Sequence, residues 1–352
     1  MKPLPISIRP FEQTDAEYEA RTALSNAMYP DDYVDTVAEA KHDDAHRDPK
    51  IHIERWMAYG PDGTLVGISS AGQSSWSYHP RKLYVDVNVH PDWRRRGVGT
   101  QLFDHIRASV ERFDPAKLSV GVRDDQADAI RFAERRGFSE LMREWENHLD
   151  LATYNPSTFA GKSEAVEASG IRLATLTELR AEDPDGWGRR LFEVSNAAAA
   201  DIPSADKHTD PDYDVWIKRI VDSPNLVPDG FMIAVVDGEM AGISTLWLSQ
   251  GEPDVVYTGL TGVRREYRRR GIALALKLRA LEYARSNGFK KVKTWNNTGN
   301  QGMLAINYAL GFKPQPAWID YALILDPAVA EATAWENPGT FVDPATIAVP
   351  VG

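Results

Sequence analysis

The chain has 352 residues, room for about two domains of ordinary size, and its 43% apolar and 26% charged content is that of a globular protein rather than a fibrous or disordered one. Acidic residues exceed basic ones by 11, so a nucleic-acid role would work against the overall field, while a cationic small molecule suits it. The absence of cysteine excludes disulfides, thiolate zinc sites and an acyl-cysteine intermediate.

No apolar run approaches the roughly 18 residues needed to span a bilayer. The opening Met1-Lys2-Pro3-Leu4-Pro5-Ile6 has no apolar signal core, so a cytoplasmic location without a membrane partner is expected. Ile6-Ser7-Ile8-Arg9-Pro10 alternates as a short strand and is followed by a helical, acid-rich region with Asp31, Asp32, Asp35, Glu39, Asp43 and Asp44. Pro61-Asp62-Gly63 marks a hairpin turn before Leu65-Val66-Gly67-Ile68. The strand Tyr84-Val85-Asp86-Val87-Asn88-Val89 enters a basic turn, and Leu102, Ile106 and Val110 stripe the helix after it. Another strand runs from Leu118 to Val122, and the next helix ends at Gly137, placed as a C-cap.

The small, polar stretch from Tyr154 to Gly170 reads as a linker, and then the same order returns. Ile171-Arg172-Leu173 is the strand, Asp201, Asp206, Asp210, Asp212 and Asp214 the acidic region, and Val236-Asp237-Gly238 the hairpin turn. Thr258 to Val263, a basic turn, a helix striped by Leu274, Leu278 and Leu281, a strand from Lys291 to Trp295, and a helix ending at Gly311 complete it. Gly97 and Gly271 are 174 residues apart, as are Gly137 and Gly311, which marks a duplicated domain rather than a solenoid. The expected boundaries are 1–150 for the first domain, 151–168 for a linker, 169–326 for the second domain and 327–352 for a tail.

The two basic turns carry the chemistry. They read Val89-His90-Pro91-Asp92-Trp93-Arg94-Arg95-Arg96-Gly97-Val98-Gly99-Thr100 and Val263-Arg264-Arg265-Glu266-Tyr267-Arg268-Arg269-Arg270-Gly271-Ile272-Ala273. A strand turning sharply into a helix offers unsatisfied backbone N–H groups at the positive end of the helix dipole. Glycine or alanine lets an anion approach them, and arginines add charge-assisted bonds to phosphate. The spacing is neither that of a Walker loop nor G-x-G-x-x-G.

It resembles instead the R/Q-x-x-G-x-G/A signature of the GNAT superfamily of acyl-CoA-dependent N-acetyltransferases, and the two-domain layout is similar to that of tandem acetyltransferases of the mycothiol synthase type. The resemblance spans Ile6 to Asp150 and Ile171 to Asp326. It implies an α/β fold of two tandem GNAT-like domains, each a mixed, mainly antiparallel sheet flanked by helices. It also implies acetyl-CoA as co-substrate, its pyrophosphate held at Val89, Arg94 to Thr100, Val263 and Arg268 to Ala273.

Family members often place a cofactor-contacting asparagine eleven residues before the glycine of the final Gly-Phe, and a tyrosine acid four before it. The second half has Asn300 at the first place and Asn307 at the second, whereas the first half has Gln126 and Ala133. Asn307 and its neighbour Tyr308, with Tyr257 and Asp86, are therefore the catalytic candidates; Tyr84 and Tyr321 are further possible acids. Trp76, Tyr78, Trp247 and Trp295 are candidate acceptor-pocket walls. His42 and His46 lack a third ligand, and no metal is expected.

Transfer from a thioester needs a neutral amine, donors toward the carbonyl oxygen and a proton for sulfur. The resemblance implies backbone N–H groups around Val87 to Val89 or Leu260 to Val263 as the oxygen donors. The expected activity is direct acetyl transfer, in a ternary complex, to a primary amine of a small cationic molecule by an acyl-CoA-dependent N-acyltransferase. Asn300 favours the second half as the catalytic one. The alternative is a non-catalytic acyl-CoA-binding or sensing module in one or both halves. A monomer or homodimer with no nucleic-acid partner is expected.

Overall fold

The computed structural model describes residues 4–29, 34–332 and 334. Asp31 and Asp32, and the expected tail beyond Ala332 apart from Ala334, lie outside the described residues. Two compact units are present, one built from residues up to Leu141 together with Ile319–Ala334, the other from Met142–Trp318. The expected boundaries 1–150 and 169–326 instead follow the sequence repeat.

In chain order, the first unit begins with β1 (Ser7–Pro10), α1 (Asp15–Met28), α2 (Val37–Ala45), β2 (Ile53–Tyr59), β3 (Leu65–Gly72) and β4 (Lys82–Val89). It continues through α3 (Val98–Val110), β5 (Lys117–Arg123) and α4 (Ala127–Glu134). Thr14 and Thr36 start α1 and α2 by accepting from the N–H groups of Glu17 and Glu39. β1 to β4 are joined by antiparallel ladders, and β5 runs parallel to β4.

β6 (Ser139–Asp150) enters the second unit at Met142 and pairs antiparallel with a strand of that unit, Asp150 opposite Lys291 and Glu144 opposite Asn297. Next come α5 (Lys162–Ala168), β7 (Arg172–Thr175), α6 (Leu176–Glu182), α7 (Trp187–Ala199), α8 (Tyr213–Val221), β8 (Met232–Val236) and β9 (Glu239–Leu248). β10 (Val255–Val263), α9 (Ile272–Ser286), β11 (Lys291–Asn297), α10 (Gln301–Ala309) and the short β12 (Lys313–Pro314) follow. The sheet order is β6-β11-β10-β9-β8-β7, with β10 and β11 parallel and the other ladders antiparallel. β13 (Trp318–Ile324) then lies beside β5, giving the first unit the order β1-β2-β3-β4-β5-β13, and α11 (Pro327–Ala332) ends the described elements.

Each half of the sequence therefore sends its last long strand where the repeat does not place it. The apolar face of β13 explains its position: Ile319 and Tyr321 are buried with Leu83, Val85, Ile106 and Leu118 of the first unit. Each such side chain contributes about 1.5–3 kcal/mol when fully buried. The stretch 151–168, expected as a linker, is folded: α5 packs on α9, and Tyr154 and Val166 join the second unit's core.

Candidate active site

In the second unit β10 and β11 pair only from Val255 opposite Lys291 to Tyr257 opposite Lys293, although they run on to Val263 and Asn297. Where they part, a cleft opens, walled by Gly259, Leu260 and Thr261 of β10, Thr294 to Asn297 of β11, Asn300 and Met303 of α10, Lys277 of α9, Ile202 and Glu144. On its other side β10 is bulged: Thr258 faces Leu246 but Thr261 faces Ser244, so two residues drop out of the ladder. The Leu260 N–H, one of the expected oxygen donors, gives its hydrogen bond to Thr245 Oγ1 at 3.0 Å. The first unit repeats the short parallel ladder, Lys82–Tyr84 with Lys117–Ser119, but β3 and β4 stay in register from Gly67 opposite Val89 to Gly72 opposite Tyr84.

Both basic turns have one backbone path. After a single 3-10 turn, Arg95 and Gly97 in one copy (φ 62° and 83°) and Arg269 and Gly271 in the other (63° and 77°) adopt the left-handed conformation. The glycines adopt it freely, while each arginine stores of order 1–3 kcal/mol there. Neither α3 nor α9 has a side-chain cap, so their first N–H groups face the turn as an anion would require. A Cβ on Gly271 would come within 3.3 Å of Val166 Cγ2, and one on Gly99 within 3.4 Å of Phe132. The side chains of Val98 and Ile272 are core, which leaves their backbone N–H groups for a ligand.

The arginines divide their tasks. Arg94 Nε donates to Val89 O at 3.2 Å and Arg268 Nε to Val263 O at 2.8 Å, so the first of each triplet ties the turn to its own strand. Arg268 also pairs with Asp201, which Arg265 Nε reaches at 3.0 Å, and these bonds, Arg265's first, hold the Asp201 carboxyl below its usual range. Arg269 and Arg270 are exposed. In the first copy Arg95 lies 3.8 Å from Asp128 and Arg96 covers the Trp93 ring. Thr100 Oγ1 accepts from Arg136 at 2.9 Å.

Of the second-unit candidates, Asn300 reaches the cleft while capping α10 through Met303 N. Asn307 is fully buried and donates from Nδ2 to Asn296 Oδ1 at 2.6 Å, which brings Asn296, unnoticed in the sequence, to the wall of the cleft. Tyr308 is half-buried on α10 and does not line the cleft. Tyr257 stands in the paired part of β10, bonded to Glu252 and stacked on Trp295 at 5.4 Å. Lys277, also passed over in the sequence, is 2% exposed and displaced by burial to a pKa of about 7.

In the first unit Asp86 accepts from Asn88 at 2.6 Å. The protein around its carboxyl pushes it above the usual range and Arg21 pulls it back; water still reaches the side chain and screens part of both effects. Gln126, at the place corresponding to Asn300, hydrogen-bonds with Tyr29, whose ring lies 5.5 Å from the Arg123 guanidinium. Tyr84 is exposed and Tyr321 is in the first unit's core. His42 and His46 stack at 4.1 Å, and no group of three or more His, Asp or Glu among the described residues could hold a metal.

Much of the acidity serves internal bonds. Asp44 pairs with Arg47 and Arg55, Asp35 accepts from Ser25, and Asp212 caps α8. Glu144 is the carboxylate lining the second unit's cleft. Among the described residues no helix is long and apolar enough to cross a membrane.

The profile of the acetyltransferase (GNAT) family matches residues 18–138 and again 191–312. The mycothiol acetyltransferase of Thermobifida fusca (strain YX) is 28% identical over 240 residues, 65% of this chain and 71% of that one. That of Salinispora arenicola (strain CNS-205) is 24% identical over 279 residues, 78% and 83% of the two chains. Among solved structures, a tandem GNAT protein from the clavulanic acid biosynthesis pathway superposes with a TM-score of 0.72 at 23% identity, covering 91% of this chain and 98% of that one. A GCN5-related N-acetyltransferase from Sphaerobacter thermophilus gives 0.66 at 21%, covering 91% and 96%. At these identities the structural likeness speaks for the fold.

Proposed function

The chain belongs to the acetyltransferase (GNAT) family, its two matches marking a tandem of the fold, and from that premise we propose that the second unit moves the acetyl group of acetyl-CoA directly to a primary amine of a small cationic molecule. The observation that carries this reading is the parting of β10 from β11 beyond Tyr257, beside the bulge in β10. It takes the backbone of Gly259 to Thr261 out of the parallel ladder at the wall of a cleft, where a thioester oxygen needs donors beyond the Leu260 N–H that Thr245 holds. The pyrophosphate would lie on the uncapped start of α9, with Arg269 and Arg270 free to turn toward it, and the pantetheine arm would run along β10 into the cleft.

Chemistry then needs no covalent step on the protein. The neutral amine attacks the carbonyl carbon, and sulfur leaves with the electron pair. Glu144 gives the cleft a negative wall suited to an ammonium-bearing acceptor, which supports a cationic substrate. The relatives named mycothiol acetyltransferases support an amine on a small molecule as the acceptor class.

For the first unit we propose a non-catalytic role that keeps an acyl-CoA turn without turnover. The unbroken β3–β4 register and the Tyr29 bond to Gln126 favour it. The reading is tested by following thiol release from acetyl-CoA with a panel of primary amines, comparing Gly97→Val and Gly271→Val. At sub-saturating acetyl-CoA, Gly271→Val should cut release by about tenfold or more and Gly97→Val should leave it largely intact; equal loss in both, or ping-pong kinetics, would refute it.

A further inference from the structure

We propose that Lys277 is the proton donor to the departing thiolate in the second unit, filling the role that Asn307 cannot. The proposal rests on the reading that acetyl-CoA enters the cleft between β10 and β11.

Elimination comes first. Among the residues that wall the cleft, Lys277 and Glu144 are the two that carry a proton-exchanging side chain; the others are amides, hydroxyls of threonine, backbone or apolar groups. Glu144 comes from β6, Lys277 from α9, and β10, β11 and α10 supply no titratable side chain to the wall. Of the tyrosines first considered, Tyr257 is bound to Glu252 in the paired part of the strands and Tyr308 is off the wall.

The duplication supplies a second, independent argument. Moving back 174 residues from Lys277 gives Phe103, and from Phe312 gives Phe138. In the first unit these two rings pack edge to face with centroids 6.0 Å apart, in the core. In the second unit the same pair is an ammonium nitrogen 5.5 Å from the Phe312 ring. The fold thus asks for an apolar side chain at this place and is satisfied by one in the other copy. Lys277 takes it while 2% exposed and with no ion pair or hydrogen bond among the described residues. Such a group is costly to the fold and has a cleft to face, which is the pattern of a functional rather than a structural lysine.

Its acidity suits the task. An ordinary lysine near 10.5 would give its proton uphill to a thiolate, whose thiol titrates near about 8.5. Displaced to about 7 by burial, Lys277 gives it downhill. In the step, the amine nitrogen bonds to the carbonyl carbon, the C–S bond breaks with its pair on sulfur, and sulfur takes the Nζ proton. The acceptor nitrogen loses its proton to solvent, and Lys277 is reprotonated from solvent.

The test uses the full chain with acetyl-CoA and hydroxylamine, a nucleophile that needs no acceptor pocket, and reads thiol release above the uncatalysed rate. Lys277→Met should lower kcat about 100-fold or more, change the acetyl-CoA Kd measured by calorimetry less than about threefold (under about 0.7 kcal/mol), and melt no lower than the parent chain. The parent's kcat should fall as pH rises through about 7 while the variant's profile stays flat there. Lys277→Arg, charged but unable to release its proton, should show the same loss. Rescue by arginine, an unchanged kcat, or a loss explained by weaker acetyl-CoA binding would each overturn the assignment. If the parent chain itself binds no acetyl-CoA, the functional reading fails first and this one with it.

Discussion

Asn307 Nδ2 donates to Asn296 Oδ1 across 2.6 Å, joining the buried side of α10 to the strand that walls the cleft. Asn307 stands where the resemblance to the family implies a tyrosine, and its bond holds the Asn296 amide at the cleft. Replacing Asn307 by leucine leaves Asn296 without its buried partner, which costs about 1–3 kcal/mol. Urea denaturation should show that loss, and acetyl transfer should fall further than the lost stability explains because Asn296 is released into the cleft.

Gly271 has a φ of 77° and Val166 beside it. A valine there strains the turn and blocks approach to the first N–H groups of α9. Calorimetry of Gly271→Val should show acetyl-CoA affinity at that turn reduced by about tenfold or more, equivalent to about 1.4 kcal/mol.

Asp201 joins Arg265 and Arg268, and those bonds depress its carboxyl pKa. A carboxylate with a folded pKa below its unfolded value near 3.9 contributes stability that is present above that value and lost as pH falls through the folded pKa. Asp201→Asn should therefore unfold with a shallower acid limb below about pH 4. Released from Asp201, Arg268 should also let acetyl-CoA bind more tightly, by a few-fold in calorimetry.

The displacement of Lys277 runs the other way. Its folded pKa of about 7 lies below the unfolded 10.5, so between those values the unfolded chain binds a proton that the folded chain does not. Stability from this group rises with pH across that window, at about 1.4 kcal/mol per unit of pH. Lys277→Met should flatten that rise and stabilise the protein by several kcal/mol at neutral pH, measured by denaturant titration from pH 7 to 10.

Asp86 tests the division of labour. Asp86→Asn should leave turnover within about twofold of the parent chain, since an exposed substitution away from the working cleft changes little. A loss of 100-fold would move the chemistry to the first unit.

The duplicated order of elements and both basic turns were legible in the sequence because a sharp strand-to-helix corner needs glycine, and Gly97 and Gly271 keep a common spacing. The left-handed Arg95 and Arg269 were not, since arginine carries no local signal for that conformation. Lys277 was hidden inside a helix whose leucines drew attention to the stripe. Comparison with Phe103 would have exposed it as a core position. The placement of β6 and β13 was illegible for another reason. Ile319, Tyr321 and Leu323 alternate as any half-buried strand does, and alternation names a face without naming the neighbour.

The position of β13 bears on how the molecule is made. The first unit's sheet needs a strand synthesised some two hundred residues after β5. At the ribosome that unit must wait, with the edge of β5 open, until almost the whole chain has emerged. Cutting the gene at the apparent junction of its repeats would deprive one fragment of the closing strand and leave it prone to pair with copies of itself.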